Sequence, residues 1–265
     1  MTDQMYAALS DVGRVREANE DSCLVIAEQG VYIVADGMGG HNCGDIASQI
    51  TVSAIRSFYT DDDLTPRLKE HFKRRRKNKI KGTPSSFAEF RLGRALESAN
   101  RSVFTTAQRI PSYEDMGTTV IAAVLEKGRI FLGNVGDSRA YRIRGRRIAQ
   151  LSEDHSLANE YIRMNILRKE DVRDFPYKNV IVRALGLNPQ VEVDTLSRPC
   201  RPGDIYLLCS DGLTDLVEDD QIRDIVCAAE GSLDLAARNL VSVANEYGGV
   251  DNITVVLIRV PEEEA

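Results

Sequence analysis

The sequence predicts an α+β fold built on antiparallel sheets. Apolar, strand-like runs come in pairs joined by short turns, and amphipathic helical stretches fall between the pairs. No internal repeat or linker divides the chain, so residues 1–265 read as a single domain. In order, Ser22–Ala27 and Val31–Ala35 are separated by Glu28-Gln29-Gly30. Thr118–Leu125 and Arg129–Val135 flank Glu126-Lys127-Gly128, and Arg139–Arg144 and Arg147–Leu151 flank a turn at Gly145. Asp204–Cys209 and Ile253–Val260 complete the strands. Helical periodicity puts Ala47, Ile50, Ala54 and Phe58 on one face of 44–59, and Leu92, Ala95, Leu96, Ala99 and Val103 on one face of 85–108. Residues 218–229 and 232–247 read as two further amphipathic helices.

The composition is that of an ordinary globular protein long enough to bury a core without staples. A net charge of −6 argues against nucleic acid as the main partner. The longest aliphatic run, Val120 to Leu125, falls far short of the ~20 residues a membrane span needs. No basic segment followed by an apolar one opens the chain, so no signal peptide is expected. Five widely spaced cysteines read as free thiols in a reducing compartment, and the cytoplasm is the expected location. Two stretches break the strand and helix pattern. Arg67–Lys81 carries nine Lys or Arg residues within a basic insert of about 61–84; such a run is expected to be a solvated, mobile surface segment. Residues 156–177 are charged and weakly periodic, and read as a flap.

The chemistry concentrates in acids at strand ends. Val31–Ala35 runs into Asp36-Gly37, Ile205–Ser210 into Asp211-Gly212, and Phe131–Gly136 into Asp137-Ser138, while Asp251-Asn252 stands directly before Ile253–Leu257. Strands deliver such residues to one edge of a sheet, where gathered carboxylates repel each other and divalent cations relieve the conflict. An Asp-Gly pair is often only a hairpin turn, but here neither pair is followed at once by a second strand. An oxygen-only ligand set favours Mg²⁺ or Mn²⁺, and the three histidines show no zinc-ligand spacing. Two such ions activate a water and clamp a phosphoryl group. No cysteine has an arginine six positions on, and no GxxxxGK[ST] occurs, which removes the cysteine-phosphatase and P-loop readings. Arg16 has the chemistry to hold a phosphate bidentately, the alternative being a salt bridge to Glu17 or Glu20.

These residues make the chain recognisable. It resembles the metal-dependent protein phosphatases of type 2C, bacterial members above all, through SDVGRVREANED (10–21), VADGMGGH (34–41), MGTT (116–119), GNVGDSRAYR (133–142), EDHS (153–156), CSDGLTD (209–215) and DNITVV (251–256). The resemblance implies a four-layer α-β-β-α sandwich with two central antiparallel sheets and a metal site at one edge between them. It implies that Asp36, Asp211 and Asp251 bind one metal, that Asp36, the Gly37 carbonyl and Glu20 (through water) bind a second, and that Asp137 binds a third, weaker one. Arg16 matches the phosphate-binding arginine, Asp21 and Asn252 orient ligands or waters, and Arg16, Asp36 and Asp211 are the expected catalytic residues. Residues 156–177 match a flap that varies between members. Animal enzymes of this family place a histidine after the Asp-Gly as the proposed general acid; here Met38 stands there, and a thioether donates no proton. His41, a metal-bound water and water near the third metal are the candidates in its place, a metal-bound water being preferred, and His155 is expected to be structural. The implied function is metal-dependent hydrolysis of phosphoserine and phosphothreonine on proteins by a monomer that opposes a Ser/Thr kinase system. A phosphatase for a small phosphorylated molecule and a non-catalytic phosphoprotein-binding module are the alternatives. The second requires the loss of a metal aspartate or of the arginine, and none is lost.

Overall fold

The computed structural model describes residues 5–39 and 43–261, apart from the side chains of Arg173 and Asp174. Two antiparallel sheets stack at its centre. One orders its strands β1 (Tyr6–Asp11), β11 (Ile253–Arg259), β10 (Ile205–Cys209), β7 (Arg139–Arg144) and β8 (Arg147–Gln150). The other runs β2 (Asp21–Ile26), β3 (Val31–Met38), β5 (Val120–Glu126), β6 (Arg129–Val135) and β9 (Asp194–Pro199), with the short β4 (Gly117–Thr118) paired to the end of β3.

Strict alternation along the strands sends side chains to two different cores. From the second sheet, Tyr32, Val34, Ile121 and Leu132 meet Ala140, Tyr206, Leu208 and Val256 of the first in the layer between the sheets. Ile33, Ala122, Val124 and Phe131 face the other way, onto α1 (Gly44–Thr60) and α3 (Phe87–Arg109). Tyr141, Leu207, Val255 and Leu257 pack on α6 (Asp219–Ala228) and α7 (Leu233–Glu246). The order of layers is therefore α-β-β-α, as the resemblance implies. Helix starts are fixed locally: the Ser86 hydroxyl accepts from the Ala88 N–H and that of Ser232 from the Leu235 N–H, while Glu218 and Gln221 close a reciprocal box at α6.

One expectation is corrected. The basic run is solvated, but its part up to Lys77 belongs to a helix, α2 (Leu64–Lys77), packed on the domain rather than a mobile segment. Leu64, Leu68 and Phe72 recur every four residues beneath the charges and pack against Phe58, Phe87 and Phe90, which anchors one face of the helix. Within the expected flap lie α4 (Leu157–Arg163) and a 3₁₀ turn, Lys169–Asp174. Strands β1 and β9 carry no strong sequence signal, and each lies at a sheet edge with one neighbour. No helix among the described residues is long and apolar enough to cross a membrane.

Candidate metal centre

Five strand ends meet where the two sheets open at one edge. β2 begins at Asp21, directly opposite Asp36 near the end of β3. β6 runs out just before Asp137, β10 just before Asp211, which opens the short helix α5 (Asp211–Thr214), and Asp251-Asn252 precedes β11. Burial raises the carboxyl of Asp36 well above the usual range, and the charges of Asp21, Asp211, Asp137 and Asp251 add to it. Asp211 is raised in the same way, by burial and then by Asp137, Asp215, Asp251 and Asp21. Asp137 is pushed to about 6 by burial and Asp154, and Asp21 to about 6 by burial, against hydrogen bonds that partly compensate. Each carboxylate stands in the field of the others, and one oxygen of Asp21 and one of Asp137 is buried without any hydrogen-bond partner. Orphaned acceptors in a shared negative field are what an oxygen-ligated divalent cation satisfies. Among the described residues no three His, Cys, Asp or Glu side chains yet close around one point, so the acids share an edge rather than a finished ligand shell.

Backbone contacts fix this edge. Gly37 lies where β3, the start of α1 and Glu20 converge: a Cβ there would sit 2.0 Å from the Gly44 carbonyl oxygen and 2.6 Å from that of Glu20. The Gly37 N–H donates to the Glu20 carbonyl (3.2 Å), and the Gly44 N–H at the start of α1 donates to Glu20 Oε1 (3.3 Å). Burial raises the Glu20 carboxyl, while the Gly44 N–H and Arg16 oppose the shift. Gly212 is constrained likewise, since a Cβ would sit 2.0 Å from the Asn252 carbonyl. Asn252 itself is 5 % exposed and makes three bonds: its Oδ1 accepts from the Glu20 N–H (2.8 Å), and its Nδ2 donates to the carbonyls of Val12 (2.9 Å) and Ala18 (3.0 Å). One amide thereby holds the 12–20 loop against the start of β11.

That loop carries Arg16, whose Nη2 donates to Asp251 Oδ2 at 2.7 Å. Neither Glu17 nor Glu20 takes the guanidinium as a hydrogen-bonded partner, contrary to the alternative weighed for it. The arginine is half exposed, so part of its donor set faces solvent beside the carboxylates.

A chain of this design has known relatives. The model of the protein phosphatase 2C family matches residues 14–241. The chain belongs to the protein phosphatase 2C family. It is 37 % identical over 253 residues to the serine/threonine phosphatase stp of Listeria welshimeri, covering 94 % of this chain and 93 % of that one. The crystal structure of the Mycobacterium tuberculosis serine/threonine phosphatase PstP/Ppp superposes with a TM-score of 0.83 at 32 % identity, over 97 % and 98 % of the two chains. A structure of the PstP catalytic domain in complex with two manganese ions gives a TM-score of 0.80 at 32 % identity, covering 97 % and 98 %.

Within this phosphatase 2C framework the structure adds residues to which sequence reading gave no role. Thr118 and Thr119 hold the backbone of Asp36: Thr118 Oγ1 donates to its carbonyl (2.8 Å), Thr119 N–H donates to the same oxygen (2.8 Å), and the Asp36 N–H donates to Thr119 Oγ1 (3.2 Å). Ser210 Oγ donates to Asp21 Oδ2 at 2.7 Å. A cavity of about 380 Å³ borders Asp137 and Asp211 and is walled by Asp215, by Lys169 of the flap and by Lys178 just beyond it. Arg139 grips Asp154 through two nitrogens at 2.7 and 2.9 Å beside it. Those arginine and acids stand in the quoted motifs, but only folding reveals which groups they face. His155 is structural: its Nδ1 accepts from the Gly136 N–H (3.0 Å), which assigns the proton to Nε2, facing Asp194 at 3.1 Å. His41 lies outside the described residues.

Proposed function

We propose that this protein serine/threonine phosphatase hydrolyses phosphoserine and phosphothreonine on protein substrates at a centre holding two divalent cations, Mn²⁺ or Mg²⁺. The observation that carries the reading is the set of aspartates gathered where the two sheets open, Asp36 and Asp211 among them raised by burial and mutual repulsion, with partnerless oxygens on Asp21 and Asp137. Asp36, Asp211 and Asp251 would hold one ion; Asp36, the Gly37 carbonyl and Glu20 would hold the other; Asp137 would serve a third. When bound, the ions supply a polarised water for attack and neutralise charge on the phosphoryl group.

The chain's own groups do the rest. Arg16 exchanges Asp251 for the substrate phosphate, which its fork-shaped donor set fits bidentately. Asn252 and Asp21 keep Glu20 and the ligand edge in position, and Thr118 and Thr119 hold Asp36. Lys169 and Lys178 offer positive charge to the substrate side of the cleft. The leaving alkoxide needs a proton; His155 is buried with both nitrogens engaged and does not supply it. With Met38 unable to act, water at the metal centre would supply it in preference to His41. Residues 1–265 form one catalytic domain with a basic insert at 61–84 and a flap at 156–177. It acts as a monomer against a Ser/Thr kinase. Its five free cysteines suit a reducing compartment, the cytoplasm.

The test is hydrolysis of a phosphothreonine peptide by the purified protein with Mn²⁺, with Mg²⁺ and with EDTA. Activity that requires metal supports the reading; activity indifferent to EDTA overturns it.

A further inference from the structure

The loop that carries Arg16 is tied down in two places. Asn252 holds it through the carbonyls of Val12 and Ala18, and a separate tie lies at its start. Asp11, the last residue of β1, accepts through one oxygen, Oδ1, from the Gly13 N–H (2.9 Å) and from Asn245 Nδ2 (3.1 Å). Asn245 stands in the last turn of α7 and is 8 % exposed. Its amide nitrogen is the atom assigned to face the carboxylate, because an amide oxygen placed there would be repelled. Both partners belong to rigid elements. Asp11 pairs with Ile253 of β11, and Leu240, Val241 and Ala244 of α7 lie in the core that covers that sheet.

From this pair to Arg16 the contacts run without a break. α7 closes with the Gly248 N–H on the Asn245 carbonyl (3.2 Å) and the Gly249 N–H on that of Ala244 (3.0 Å). The Gly249 carbonyl in turn accepts from the N–H groups of Arg14 (2.7 Å) and Val15 (3.3 Å). Arg16 follows, on Asp251. No side chain fits at Gly249, since a Cβ there would lie 2.5 Å from Asn245 Oδ1 and 2.9 Å from the Arg14 nitrogen. Residues 11–16 and 245–251 are thus laced together, with Asp11 and Asn245 at one end and Arg16 and Asp251 at the other.

The residues between these ends have no regular structure to fix them. Residues 12–16 form neither helix nor strand, Arg14 and Val15 are exposed, and Arg16 is half exposed. A long arginine side chain loses conformational freedom when it grips an anion, and a backbone fixed beforehand reduces that loss. Among the described residues, neither Asp11 nor Asn245 hydrogen-bonds to Asp36, Asp137, Asp211 or Asp251. What the pair fixes is the start of the loop.

We propose that Asn245 and Asp11 are positioning residues for phosphate binding: together they set the backbone from which Arg16 reaches the phosphoryl group. The role given to Arg16 rests on the phosphatase reading; the tie between the end of α7 and the loop does not.

The experiment measures KM and kcat for a phosphothreonine peptide at saturating Mn²⁺, together with the Ki of inorganic phosphate. Asn245→Asp sets two carboxylates face to face, and Asp11→Ala removes the acceptor from the other side of the same bond. Each is expected to raise KM and Ki about 10-fold and to change kcat less than about 3-fold, the split expected when binding geometry is loosened. Asp11→Asn combined with Asn245→Asp again sets a donor against a carboxylate, and should bring both constants back to within about 3-fold of the parent. In an Arg16→Ala background the group to be placed is gone, so Asn245→Asp should change kcat/KM less than about 2-fold. Losses that add in that background, or a swap that restores nothing, overturn the proposal. So does an unchanged Ki in both single variants, or a loss of Mn²⁺ affinity as large as the loss of phosphate affinity. If the parent does not hydrolyse the peptide at all, the phosphatase reading has failed instead. Calorimetric titration with inorganic phosphate in Mn²⁺ then decides the positioning. Binding to the parent that weakens about 10-fold in both single variants supports it, and no binding, or equal binding in all three, refutes it.

Discussion

Arg16 and Asp251, 235 positions apart, are joined by a 2.7 Å ion pair at the mouth of the carboxylate edge. The pair brings the residue suited to bind phosphate against one suited to bind metal. Each neutralises the other until substrate and cation arrive. Arg16→Ala is therefore expected to lower kcat/KM on a phosphothreonine peptide by about 10- to 100-fold, the worth of a charge-assisted bidentate contact of ~1.5–3 kcal/mol. Steady-state kinetics at saturating Mn²⁺ checks it, and an unchanged KM and kcat would remove the arginine from phosphate binding.

Asn252 makes three hydrogen bonds while almost wholly buried. Asn252→Ala leaves the Glu20 N–H and the carbonyls of Val12 and Ala18 without that partner, a cost of ~1–3 kcal/mol for each group that stays dry. It also frees the loop bearing Glu20, so metal affinity should drop about 10- to 100-fold. Calorimetric Mn²⁺ titration beside thermal unfolding separates the two effects.

The Thr119 hydroxyl accepts from the Asp36 N–H and lies 2.7 Å from Ser138 Oγ in a buried pocket. Thr119→Val keeps the shape and removes both interactions. Stability should fall by ~1–3 kcal/mol through unsatisfied buried groups, and kcat should fall with it because Asp36 loses its support. Thr119→Ser, which keeps the hydroxyl, should retain most of the activity.

The raised carboxyls give the metal-free protein a pH signature. Asp21 and Asp137 are raised from 3.8 to about 6 in the fold, so the folded state holds protons there that the unfolded chain gives up. Their contribution favours folding below about 4 and is lost as pH rises through about 6. Cations need the deprotonated form, so the rise in Tm caused by Mn²⁺ should grow from pH 5 to pH 7. A rise in Tm of equal size at both pH values would contradict the reading.

Much of this fold was legible because its strands are long, apolar and closed by clear turns, as in Val31–Met38 and Val120–Glu126. Asp36 and Asp211 were legible as candidates for the same reason, since an Asp-Gly after such a strand with no strand to follow is a poor hairpin. The exposed edge strand Asp194–Pro199 was not, because an edge strand needs little apolar character. The helix at Leu64–Lys77 was hidden because its charges outnumber the Leu64, Leu68 and Phe72 positions that anchor it. Contacts such as Arg16–Asp251 and Asn252–Glu20 join residues more than two hundred apart, and no local pattern encodes them.

On the proposed function, the aspartate edge is destabilising by itself and is relieved by cations. Asp211→Asn tests it most directly, with thermal unfolding and phosphothreonine hydrolysis measured on one preparation with Mn²⁺ and with EDTA. Removing a buried charge from the field of Asp137, Asp215, Asp251 and Asp21 should raise the metal-free Tm. The same change should abolish the hydrolysis and reduce the Mn²⁺-induced rise in Tm, because the ligands of only one of the two ions are broken. A variant that melts lower than the parent in EDTA yet keeps its Mn²⁺ response and its activity would contradict the account.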